Sequence, residues 1–230
     1  MSNPEEIETR VPEDYKTSLK GDTVASEHRA DVVLELLEEK KVDKDARIVD
    51  IGCGYGLLLR KLKKKKYNNI LGIEPIHEVV EDLTESGIPA RVGDLEQGLD
   101  SVDDRSADVV VCLEVLEHLY DPKAALHEIN RCLRTDGLLI ASVPNEYRLT
   151  QRLKMIRGRP VSDVSLVGGH IKFFDWNTFS NMVKTSGFRI DTQFSEGGIR
   201  MRKMIPGYVR IMRSLPRLLG KWIFIVAKKK

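Results

Sequence analysis

Arg47-Ile48-Val49-Asp50-Ile51-Gly52-Cys53-Gly54-Tyr55-Gly56 is an apolar run around an aspartate that opens into glycine at every second position. Ile48, Val49 and Ile51 supply the unbroken apolar stretch that a buried parallel strand needs. Gly52, Gly54 and Gly56 permit a sharp turn and close approach of a ligand to the backbone. The next residues, Leu57-Leu58-Leu59-Arg60-Lys61-Leu62, have the composition of a helix start. A strand, a glycine turn and a helix N-terminus together make a nucleotide-type pocket.

The dinucleotide fingerprint would require a third glycine at position 57, which is Leu. A carboxylate two residues before the first glycine repels phosphate and attracts an ammonium group. The decamer resembles the first motif, E/D-x-G-x-G-x-G, of the class I S-adenosylmethionine-dependent methyltransferases, with Asp50, Gly52, Gly54 and Gly56 matching position by position. The resemblance implies that Asp50 and the glycine turn position the methionine end of S-adenosylmethionine, with Cys53 a small residue tolerated in that cofactor-lining turn. Asn69-Ile70-Leu71-Gly72-Ile73-Glu74 is a second apolar strand ending in an acid, eighteen residues past Gly56. Glu74 is the expected acceptor for both ribose hydroxyls. Ala90-Arg91-Val92-Gly93-Asp94-Leu95 ends in a third acid. The resemblance implies that Asp94 meets the adenine amino group, with Leu95 beside it. It covers about residues 26 to 195, and its motifs are specific for the cofactor and not for the acceptor.

Composition agrees. A chain of 230 residues accommodates one α/β domain with a full core, and a net charge of +2 gives no global field for nucleic acid. Cys53, Cys112 and Cys132 lie in or beside apolar runs at unpatterned spacing, which suits reduced thiols in a cytoplasmic protein and not a disulfide framework or zinc ribbon. No signal peptide and no run of transmembrane length is recognised.

Residues 1–25 read as a flexible lead, polar and carrying Pro4 and Pro12, followed by a single domain over 26–230. Val32, Val33, Leu36 and Leu37 mark a helix over about 26–40. Beyond the glycine turn, helices are predicted over 57–65, 76–86 and 122–134, and strands near 70–73, 90–92, 107–113 and 137–143. That alternation predicts a Rossmann-like, doubly wound sheet with helices on both faces and its ligand at the strand C-terminal ends. As in the family, the expected sheet has seven mostly parallel strands, the last formed by 222–227 and antiparallel. The lysines between 61 and 66 suit a solvated helix end.

The segment Ala107 to Leu119 carries further chemistry. By resemblance, Cys112 and Leu113 at the end of this strand lie along the cofactor. Glu114, Glu117 and His118 are spaced i, i+3 and i+4, so a helical turn there would put all three on one face, a donor set for a divalent ion. His170, in Gly168-Gly169-His170-Ile171-Lys172-Phe173-Phe174, is a fourth candidate ligand. This Glu-x-x-Glu-His with a later His resembles the ubiquinone-biosynthesis O-methyltransferases and the small-RNA 2′-O-methyltransferases, both of which present a divalent ion such as Mg²⁺ with two adjacent hydroxyls. Leu-Glu-His also occurs across the broad type 11 methyltransferase group, many of whose members have no known metal. In the alternative without metal, His118 or His170 serves as a general base or substrate contact.

Substrate choice is expected in two insertions. Residues 146–169 carry Arg148, Arg152, Lys154, Arg157 and Arg159 against the single acid Glu146 before residue 160, a basic lid if helical. Residues 197–221 carry seven basic residues and no acid, mixed with aliphatic and Met side chains. That composition suits an anionic membrane surface and is poor for base stacking, so a lipid-linked or small-molecule hydroxyl, such as a quinone-precursor catechol, ranks above RNA. An amine, a sugar hydroxyl or a small carboxylate stays open as acceptor. A nicotinamide-dependent oxidoreductase and a non-catalytic cofactor-binding module are the readings from other classes; Leu57 and the position of Asp50 oppose the first.

Overall fold

The computed structural model describes residues 23–159, 170–197 and 215–230. Most of the expected lead and parts of both insertions, 160–169 and 198–214, lie outside the described residues. In chain order the elements are α1 (Thr23–Glu39), β1 (Ile48–Ile51), α2 (Leu57–Lys64), β2 (Ile70–Glu74), α3 (His77–Glu85), β3 (Ala90–Val92) and β4 (Ala107–Leu113). A 3₁₀ turn (Leu116–His118), α4 (Pro122–Cys132), β5 (Leu133–Pro144), α5 (Leu149–Ile156), α6 (Trp176–Thr185), β6 (Phe188–Glu196) and β7 (Trp222–Lys229) follow.

The strands form one seven-stranded sheet in the order β3-β2-β1-β4-β5-β7-β6. β1 lies parallel between β2 and β4, with Asp50 opposite Gly72 on one side and Val111 on the other. β7 inserts antiparallel between β5 and β6. The expected fold is therefore observed, including the reversed last strand. Successive side chains of a strand point to opposite faces, and both faces are covered. Ile48, Val109, Val111 and Ile140 pack with α1, α2 and α3 on one face. Val49, Ile51, Val110 and Leu139 pack with α4 and α6 on the other. The order reverses between β1 and β4, and a crevice at their C-terminal ends is where such sheets hold a ligand.

Local chemistry fixes several boundaries. Asp121 caps α4 by accepting from the Lys123 and Ala124 N–H groups, and Asp175 caps α6 by accepting from those of Asn177 and Thr178. The helix expected to reach 134 stops at Cys132, because Leu133 is already extended (ψ 141°) and opens β5. In the lysine run, Lys61 meets Asp31 at 2.5 Å and Lys65 meets Glu38 at 3.2 Å, so part of that face ties α2 to α1. No helix of the described residues is long and apolar enough to cross a membrane.

Candidate active site

The glycine turn runs from the end of β1 into α2. Gly52 has φ +71°, and a Cβ there would lie 2.4 Å from Val115 Cγ2; Gly56 has φ +70°, and its Cβ would meet Leu83 Cδ2 at 2.5 Å. Both conformation and space therefore demand glycine. The Gly54 N–H donates to Glu74 Oε2 at 2.9 Å, so the β2 acid holds the turn directly. Glu74 is wholly buried, and its other oxygen, Oε1, has no partner. A buried acceptor left unpaired is costly, and a ribose hydroxyl is the type of donor that would satisfy it. Burial pushes Glu74 up to about 7 despite the backbone donors at Gly54 and Ile76. Asp50, also buried, is pushed up to about 8 by desolvation and then by the Glu74 charge. A ligand ammonium beside this pair would favour their ionised forms.

Asp94 and Leu95 follow β3 directly. Asp94 is half-buried and accepts from the Glu96 N–H at 2.9 Å through Oδ1, while Leu95 belongs to the core. Cys53 and Cys112 are buried free thiols with pKa values pushed up, chiefly by burial, and so are inert core side chains. Whatever either offers a cofactor is backbone. Leu113, on the opposite strand face from Cys112, packs half-buried against the α1–α3 side.

The expectation that Glu114, Glu117 and His118 share a helical face does not hold. Glu114 sits at φ +55°, a left-handed conformation that ends β4 and blocks continuous helix. Its N–H donates to Ser142 O at 3.1 Å, and Ser142 Oγ donates to its Oε1 at 2.8 Å, fastening it to β5. Glu117 and His118 instead lie in the 3₁₀ turn. The distant His170 is brought to them by backbone: the Ile171 and Lys172 N–H groups donate to Glu117 O at 2.9 and 3.0 Å. The His118 and His170 rings meet edge to face with centroids 4.8 Å apart. One ligand atom each from Glu117, His118 and His170 lies within 4.8 Å of the others.

Glu117 is 1% exposed, and neither carboxylate oxygen has a hydrogen-bond partner. Its pKa is raised well above the carboxylate range, first by burial and then by the Glu114 charge, with Arg29 opposing. Burial likewise raises Glu114, against Arg29, the Ser142 hydroxyl and His170. His170 Nδ1 lies 3.4 Å from Glu146 Oε1, near enough for attraction but without hydrogen-bond alignment. Ser142, Glu146 and Arg29 are the residues missed as site members. Glu146 had a visible signal, a lone acid after a strand in a basic stretch. Arg29 reaches the site from α1, and nothing in its local sequence marks it.

A separate depression of about 550 Å³ opens at the other end of the sheet, among Ala46, Asp108, Leu138 and Lys228. Two of its acids are paired, Asp191 with Lys40 at 2.7 Å and Asp108 with Arg134 at 2.6 Å. It lies at the strand N-terminal ends of β1 and β4, away from the glycine turn.

Comparison with known proteins gives this arrangement a family. A family model described as a methyltransferase domain matches residues 25–193. The chain belongs to that family, and its fold is that of the class I S-adenosylmethionine-dependent methyltransferases. It is 28% identical over 170 residues to the mitochondrial ubiquinone biosynthesis O-methyltransferase of Schizosaccharomyces pombe, covering 71% of this chain and 62% of that protein. The chain spans about half the length of the curated relatives it matches, between 42% and 62%. Among solved structures, a chain of the complex between the Haloferax volcanii Trm112 methyltransferase activator and a putative methyltransferase superimposes with a TM-score of 0.66 at 19% identity, covering 99% of this chain and 97% of that one. Magnesium protoporphyrin IX methyltransferase from Synechocystis, with S-adenosylhomocysteine bound, has a TM-score of 0.65 at 16% identity over 90% of this chain and 84% of that one. At such identities the structures support the fold alone.

Proposed function

We propose that the chain transfers the methyl group of S-adenosylmethionine to an oxygen acceptor, a hydroxyl of a small or lipid-linked molecule that carries a second hydroxyl beside it. The observation that carries the acceptor side is Glu117, a fully buried carboxylate with both oxygens unpartnered and two histidines against it. A native fold rarely leaves such a group without a ligand.

The donor set fits a divalent cation held by Glu117, His118 and His170. Two imidazoles and one carboxylate suit a borderline ion such as Mn²⁺ or Zn²⁺ better than the Mg²⁺ expected from the resemblance, which prefers oxygen ligands, and Glu114 is occupied by Ser142. A cation there supplies Lewis acidity that lowers the pKa of a hydroxyl. The chain's own residues do the rest. The β1–α2 turn and Glu74 hold the cofactor's ribose end, Asp50 attracts its ammonium, and the buried walls exclude water so that the hydroxyl oxygen faces an electrophilic sulfonium methyl in line. Glu146 stands behind His170, with its Oε1 3.4 Å from Nδ1. The S. pombe relative's name, a ubiquinone biosynthesis O-methyltransferase, supports an oxygen acceptor for this chain as well.

The test is metal-dependent methylation of a catechol. EDTA abolishes transfer and Mn²⁺ or Zn²⁺ restores it, while Glu117→Ala abolishes transfer and leaves S-adenosylmethionine affinity within about twofold, less than 1 kcal/mol. Full transfer in chelator overturns the metal. His118 and His170 then become candidate bases, separable by which Ala variant removes an ionisation from the pH–rate profile.

A further inference from the structure

α5 is built the wrong way round for a helix of a globular protein. Such a helix buries its apolar stripe. Here Leu149, Leu153 and Ile156, at i, i+4 and i+7, are 42%, 40% and 80% exposed, whereas Gln151 is fully buried. At about 100° per residue Gln151 lies opposite the stripe, so the helix rests on its polar side and shows its apolar side outward. Arg152 and Arg157, both exposed, fall on either side of the stripe, and no acid occurs from 147 to 159. Next to it are Leu215, 51% exposed, and the exposed Arg217, in a segment joined to α5 by the Leu149 N–H to Leu218 O hydrogen bond of 2.8 Å.

We infer that this face docks on an anionic lipid bilayer. Exposed aliphatic side chains flanked by guanidinium groups match an acyl boundary beneath negative headgroups. Charge opposes two of the nearer occupants. A second copy would bring the same basic face against this one, and residues 198–214 of the chain carry five basic residues and no acid. The aliphatic stripe also offers no plane on which nucleic-acid bases stack. The docking element is thus α5 with 215–217, both described, and not only the 197–221 stretch singled out from composition. Glu146, three residues before α5, lies against His170, so docking sets the candidate site near the interface where a lipid-linked acceptor resides.

The full chain is sedimented with vesicles of phosphatidylglycerol in phosphatidylcholine and with vesicles of phosphatidylcholine alone. It is expected to bind only the first and to be released by salt. Leu153→Asn with Ile156→Asn, and separately Arg157→Glu with Arg217→Glu, should each weaken binding at least about tenfold. These residues are exposed, so the melting temperature and the stabilisation by S-adenosylmethionine should be unchanged. That second readout separates failure of docking from failure of the methyl-transfer reading, on which the inference does not rest. Wild-type protein that ignores anionic vesicles, variants that bind as well as wild type, or a wild-type dimer that Leu153→Asn with Ile156→Asn splits would each overturn it.

Discussion

At the scale of single residues, the β1–α2 turn stands beside two buried acids that are hard to ionise. Folding raises Asp50 from 3.8 to about 8 and Glu74 from 4.5 to about 7. The fold therefore keeps protons that the unfolded chain releases, so stability is greatest below the unfolded values and falls as pH rises, through about 7 for Glu74 and about 8 for Asp50. Without cofactor, Asp50→Asn removes one of these protonation sites. Its melting temperature should fall less steeply than that of wild type between pH 3.8 and about 8, and should exceed it at the upper end. Scanning fluorimetry across that range checks this, and parallel curves would mean that Asp50 ionises normally in the fold. The same variant should bind S-adenosylmethionine more weakly, because it loses the charge proposed to attract the ammonium group.

At the scale of elements, the β1–α2 turn and the β4 exit are one piece of packing, since Val115 fills the space that a side chain at Gly52 would need. Gly52→Ala adds a methyl group at φ +71° with a 2.4 Å approach, so strain and overpacking together should cost about 2–4 kcal/mol. The melting temperature should drop by about 2–4 °C for each kcal/mol, and an unchanged melting curve would contradict the geometry of the turn. This element was legible in sequence because its chemistry is local: strand, glycine spacing and helix start lie within sixteen residues, from Arg47 to Leu62. The β4 exit was legible only in part. Glu117, His118 and His170 were marked by residue type, yet the left-handed turn at Glu114 that removes it from their group depends on Ser142, whose β5 neighbourhood follows from sheet register. Likewise the apolar residues of α5 are visible in sequence, but their facing outward is not.

At the scale of the whole molecule, sheet order explains why acids distant in sequence converge. β1, β2 and β4 are adjacent and parallel, so their C-terminal ends carry Asp50, Glu74 and the Glu114–His118 segment to one edge. The charged depression at the opposite edge has no part in that convergence. The cluster beyond β4 draws on more remote parts, with Arg29 of α1 opposing the buried acid pair and Glu146 standing behind His170. The glycine turn and the β2 acid are proposed to form the S-adenosylmethionine site. Calorimetric titration of wild type and Glu74→Ala tests this most directly. Wild type should bind S-adenosylmethionine at one site and S-adenosylhomocysteine at least comparably. Glu74→Ala, losing charge-assisted contacts worth about 1.5–3 kcal/mol, should bind at least about tenfold more weakly. Binding of NAD with no heat from either adenosyl ligand, or equal affinity in the variant, would contradict the account.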